Sequence, residues 1–110
     1  VDVADRWLHG DLHARNVIVD RGRLAGVIDW SDLAAGDIAT DLAAIWGLFP
    51  ASAAREEAMR ACGAVSDATW TRARGWAYAF GVMLLDSGLA DHPRHAAMGR
   101  LTLERLAEGP

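Results

Sequence analysis

Apolar and polar positions follow different rhythms in the two parts of the chain. Val17–Asp20 and Leu24–Asp29 are short apolar runs separated by Asp20-Arg21-Gly22, and each ends in a carboxylate. The first run is β-branched, both are too short for helices, and the residues between them are turn formers. This pattern predicts a β-hairpin over residues 17–29. Residues 30–37 carry Ser, Asp and Gly without periodicity and read as a loop. From Ile38 the period lengthens. Ile38, Leu42, Ile45, Trp46 and Phe49 recur at steps of three and four, and Pro50 follows the end. Ser52 is placed to cap a short helix through Ala61, with Gly63 as its terminator. Ser66 or Asp67 opens a long helix striped by Trp70, Ala73, Ala77, Phe80 and Leu84, with Gly88 after it. Pro93 occupies a first-turn position and starts a last helix through about Ala107. The expected layout is a polar loop and a hairpin followed by four helices.

Composition narrows the function. The chain has 110 residues, enough for one modest core and fewer than most complete enzymes have. Its net charge of −4 argues against nucleic acid or an acidic membrane as partner. A single cysteine, Cys62, excludes an internal disulfide and fits a reducing compartment. No signal peptide is visible, and the longest apolar stretch, Trp76–Leu85, is half the length of a membrane span. The expected address is the cytoplasm. All eleven basic residues are arginine, so no mechanism can draw a lysine from this chain.

The sharpest polar chemistry lies before and within the hairpin. LHGDLHARN, Leu8 to Asn16, gathers His9, Asp11, His13 and Asn16, and Ile28 to Asp32 reads IDWSD. Three readings compete. A polar turn bonding its own backbone explains one or two such residues but not four. A zinc hydrolase suits His-x-Asp-x-His, but its remaining ligands must come from elsewhere, and the other histidines, His92 and His95, flank a helix start and read as surface residues. Phosphoryl transfer needs a carboxylate beside the acceptor hydroxyl and hard oxygen ligands for Mg2+, held in a rigid frame. An aspartate, an asparagine five residues on and an aspartate ending the second strand supply those parts in order, as Asp11, Asn16 and Asp29.

HGDLHARN followed by VIDWSDLAAGDIATDLA resembles the aminoglycoside phosphotransferase family, antibiotic kinases related in fold to protein kinases. The resemblance covers about residues 8–43. It implies an α+β, mostly α fold, the C-terminal lobe of a protein-kinase-like fold, with residues 1–110 as a single partial domain. The catalytic loop would be 8–16, the hairpin 17–29, the metal-binding segment 28–32 and the helical part 38–107. The resemblance further implies that Asp11 accepts or orients the proton of the substrate hydroxyl, with His9 as a framework residue of the catalytic loop. Asn16 and Asp29 would hold Mg2+ and, through it, the phosphates of ATP or GTP. Asp41 would brace the catalytic loop; first-turn helix electrostatics accounts for it equally well. His13 stands where the family often has a histidine near phosphates or substrate. Asp37 reads as a helix cap and Asp32 as a solvated loop carboxylate. The chain departs from the family at Ile38, where proline is common, and at Ser31, where glycine or glutamate is common.

The family places its nucleotide between two lobes, and the N-terminal one supplies a phosphate-holding lysine. This chain begins close to His9 and has no lysine, so the expectation is a catalytic C-lobe, inactive without its N-lobe. The implied activity is phosphorylation of a small-molecule hydroxyl in an aminoglycoside-type antibiotic or a related amino sugar or alcohol, which would confer antibiotic resistance. The alternative is a non-catalytic truncated remnant or helical interaction module. The aromatic residues Trp76, Tyr78 and Phe80 read as core in preference to a ligand-stacking cluster, and nothing selects Asp86 or Glu104 over solvated carboxylates.

Overall fold

The computed structural model describes residues 3–109. Among them, strand β1 is Arg6–Leu8, β2 Val17–Asp20, β3 Arg23–Val27 and β4 Ala34–Gly36. The helices are α1 Ala39–Leu42, α2 Ala44–Leu48, α3 Ser52–Ala61, α4 Asp67–Asp91 and α5 Pro93–Glu108. The fold is α+β and mostly helical, as expected.

The hairpin of β2 and β3 is antiparallel, with Val17 opposite Val27 and Asp20 opposite Arg23. Arg21 and Gly22 connect them, both at positive φ (53° and 75°), the pair of conformations that matches the strands' own twist. The loop expected over residues 30–37 is corrected in part. Ala34–Gly36 forms β4, which pairs antiparallel with β1, Leu8 opposite Ala34 and Arg6 opposite Gly36. An Ala-Ala-Gly segment has no intrinsic strand preference, so pairing with β1 decides its conformation.

The helix expected from Ile38 is two short helices, α1 and α2, meeting at Ala43. Ile45 and Trp46 are buried there and form the core with Ala39, Ala43, Ala73, Ala77 and Leu106. Helix α3 begins at Ser52 with Ala51, not Ser52, in the cap position. Ser66 does cap α4, its Oγ accepting the Thr69 N–H at 3.1 Å. That helix runs through Gly88 to Asp91. Gly88 is not a terminator. It is buried where α4 crosses α5, and a Cβ there would lie 2.1 Å from the Ala96 nitrogen.

Helix ends are closed by arginines. Arg105 Nη1 donates to the carbonyls of Trp46 and Gly47 (3.1 and 3.0 Å), and Arg74 Nη2 donates to that of Leu106 (3.1 Å). These guanidinium donors satisfy carbonyls in the last turns of α2 and α5, where the helix itself supplies few partners. Among the described residues no helix is long and apolar enough to cross a membrane.

Candidate functional site

Residues 9–16 form a tight loop between β1 and the hairpin, and its hydrogen bonds fix nearly every polar group in it. His9 is buried. Its Nδ1 accepts the Asp11 N–H at 3.1 Å, so the ring proton sits on Nε2, which donates to the Ile28 carbonyl at 2.7 Å. The indole of Trp30 packs on the same ring, with centroids 4.6 Å apart. The Asp41 carboxylate receives two consecutive backbone N–H groups, His9 to Oδ2 at 2.7 Å and Gly10 to Oδ1 at 3.0 Å. Gly10 has φ +88°, and a Cβ on it would lie 2.6 Å from the Asp32 carbonyl oxygen. Only glycine allows the loop to approach the segment after Asp29 so closely.

Asp11 projects between two neighbours. Asn16 Nδ2 donates to the Asp11 backbone carbonyl at 2.8 Å and to its Oδ2 at 3.3 Å. The Asp11 Oδ1 lies 3.5 Å from His13 Nε2. His13 Nδ1 accepts the Arg15 N–H at 3.2 Å, which leaves Nε2 as the protonated nitrogen facing Asp11. With the Asn16 amide nitrogen committed to Asp11, the Asn16 side-chain oxygen remains as an acceptor. Asn16 is itself buried.

Asp29 follows directly on a residue held at both backbone atoms. The Ile28 N–H donates to the Asn16 carbonyl at 2.8 Å, and the Ile28 carbonyl accepts from His9. The 9–16 loop thus positions the start of the Asp29 turn. Asp29 adopts φ 57°, a left-handed conformation that aspartate tolerates better than most residues. The Ser31 hydroxyl donates to its Oδ1 at 2.7 Å. That bond first, and the Ser31 backbone N–H second, hold the Asp29 pKa below its ordinary value of 3.8. Sequence reasoning treated Ser31 as a departure from pattern and missed its contact with Asp29.

Asp37 Oδ1 accepts the Ala39 N–H at 3.1 Å in the first turn of α1, and the carboxylate also takes a two-pronged contact from Arg72 of α4, the shorter at 2.7 Å. Asp32 is exposed, and its backbone closes on Gly10.

A cavity of about 630 Å3 opens beside Asp11 and His13 and is walled by α1, α2, α4 and α5. Asp86 and Ser87 of α4 and His95 of α5 line it; Glu104 does not. The reading of His92 and His95 as surface residues is corrected for both: each is half-buried, the His92 Nδ1 is shielded from solvent, and His95 lines the cavity. Its Nε2 lies 3.2 Å from Arg15 Nη1, and its ring stacks on His92 with centroids 4.0 Å apart. Partial burial, then the charges of His92 and Arg15, hold the His95 pKa below 6.5. The aromatic trio also divides. Phe80 packs against the core and lines the cavity, whereas Trp76 stacks on Phe80 and stays half exposed, as does Tyr78.

As for cofactors, no group of three or more His, Cys, Asp or Glu side chains among the described residues is placed to hold a metal. Asn16 and Asp29 offer an amide oxygen and an ionised carboxylate. These are hard ligands suited to Mg2+, which takes one or two protein groups and completes its shell with water and phosphate oxygens.

No curated protein and no solved structure was found to match the chain. A family model described as "Phosphotransferase enzyme family" matches residues 2–76, from β1 through the first part of α4. The match includes His9, Asp11, His13, Asn16, Asp29 and Asp41 and stops before the cavity residues Phe80, Asp86 and His95. With two thirds of its length matched, the chain belongs to the phosphotransferase enzyme family.

Proposed function

We propose that the chain carries the acceptor-side and metal-side machinery of an ATP- or GTP-dependent kinase acting on a small-molecule hydroxyl, of the amino sugar or amino alcohol kind. One observation carries this reading: Asp11 lines a ligand-sized cavity while the loop that bears it also pins Ile28, next to Asp29.

In this reading Asp11 accepts a hydrogen bond from the acceptor hydroxyl and orients its oxygen toward the γ-phosphorus. A P–O bond forms to that oxygen, the bond to the β,γ-bridging oxygen breaks, the nucleoside diphosphate leaves, and the hydroxyl proton passes to Asp11 and then to solvent. Mg2+ held by Asn16 and Asp29 would supply neutralisation of phosphate charge. His9 sets the loop's shape, Asp41 braces it, and His13 steadies the Asp11 carboxylate. Phosphoryl transfer draws mainly on such positioning.

The lysine-bearing N-lobe implied by the resemblance belongs to this proposal, as does a cytoplasmic address. The chain alone is then expected to turn over little, so the decisive measurement is metal binding. Mn2+ added as a paramagnetic stand-in for Mg2+ should broaden the NMR signals of Asn16, Asp29 and Asp11 first, and Asp29→Ala should abolish the effect. Broadening elsewhere, or none, would overturn the assignment. Any phosphotransfer observed should fall by roughly a hundredfold or more in Asp11→Asn.

A further inference from the structure

The identity of the acceptor can be narrowed from what the cavity walls can do for a charged guest, an inference that rests on the phosphotransfer reading above. Away from the catalytic loop the lining is mainly apolar, with Phe80, Met83, Leu84 and Met98 outweighing the scattered hydroxyls of Thr40, Ser87 and Thr102, none of which carries charge. Among the described residues, Asp86 is the one carboxylate on the wall besides Asp11. The other titratable groups that line it are His13 and His95, and neither offers negative charge.

An ammonium group pressed against an apolar wall loses its hydration and gains nothing in return. A guest carrying many ammonium groups would find a single carboxylate to spare, because Asp11 is needed for the hydroxyl. An apolar body, by contrast, is released from water when it fills the space, and the flexible methionines let the wall adapt to its shape. We infer that the cavity takes an amphipathic alcohol with one amine: hydroxyl toward Asp11, apolar body against Phe80, Met83 and Met98, and the amine toward Asp86. A polycationic sugar is a poor fit.

Titration calorimetry on the chain, with neither nucleotide nor metal present, tests this directly. Propranolol serves as the probe with a naphthyl body, one hydroxyl and one amine; kanamycin serves as the polyamine sugar. Propranolol should bind at least about tenfold more tightly. Met83 is largely exposed, 62 % of its surface being accessible, so the neutral, polar Met83→Gln should leave the thermal melt unchanged while weakening propranolol several-fold. Asp86→Asn should weaken propranolol several-fold and leave a neutral naphthyl alcohol unaffected. Kanamycin binding as tightly as propranolol, no binding of either, or a propranolol affinity indifferent to both substitutions would overturn the inference. Mn2+ broadening is measured separately. Its loss with amphiphile selectivity intact removes the kinase reading, and its presence without that selectivity removes the acceptor assignment alone.

Discussion

Two successive amides, those of His9 and Gly10, converge on the carboxylate of Asp41. Bonds to a charged acceptor are stronger than neutral ones, and both donors lose their partner together in Asp41→Ala. The expected cost is roughly 2–4 kcal/mol, read from a urea midpoint, with an unchanged urea slope as the sign of a local loss. In the sequence Asp41 was equally readable as a favourable first-turn charge; its bonds to the loop settle where the carboxylate points, because the partners lie about thirty residues upstream. Ser31 makes the converse case. Its bond holds the Asp29 pKa down, so this contribution to stability is present above the unfolded-state pKa and is lost as pH falls through the folded value. Ser31→Ala should move the Asp29 titration midpoint up toward 3.8 in a carboxyl-carbon NMR titration. Asp29 stays ionised at neutral pH in both forms, so metal affinity there should change little by this route. A midpoint that does not move would disconnect Ser31 from Asp29.

At the level of elements, two glycines of α4 illustrate what periodicity hides. Both sit in a helix, yet a methyl group added at Gly75 would meet nothing within 4 Å, whereas one at Gly88 would run into the backbone of Ala96. Gly75→Ala is expected to stabilise by about 0.5–1 kcal/mol through backbone entropy alone. Gly88→Ala gains the same propensity but must push α5 away, and a net loss of about 2 kcal/mol or more is expected. Paired thermal melts check both; equal shifts would mean the crossing is looser than described. The hairpin, the Ser66 cap and the Pro93 start were legible because each depends on neighbours in sequence. Strand β4 and the break at Ala43 were not, since β1 and the packing around Trp46 impose them.

For the whole molecule, Arg55 joins distant parts of the chain. It is fully buried in α3, donates to the Phe49 and Pro50 carbonyls at 3.0 and 2.9 Å, and reaches Glu108 at 3.2 Å near the end of α5. Arg55→Leu strands two carbonyls and should cost roughly 2–4 kcal/mol in denaturant unfolding. Glu108→Gln should cost under about 1 kcal/mol, because that carboxylate is more than half exposed and solvent already screens it. A larger loss at Glu108 than at Arg55 would show that the ion pair, not the carbonyl bonds, secures the helix ends. The family match ends at residue 76, before the rest of α4 and all of α5, which supply much of the cavity wall.

By itself the sequence determined the local chemistry: the order of Asp11, Asn16 and Asp29, the hairpin between them, and the family to which these residues belong. Such features are written in short spacings and turn preferences, which neighbours along the chain decide. Only the tertiary structure decided that Asp41 holds the loop, that Ser31 tunes Asp29, and that His95 and Asp86 share a cavity with Asp11. Each of these joins side chains whose meeting depends on how strands and helices pack, or on the turn the backbone takes at one residue, and no local pattern encodes that.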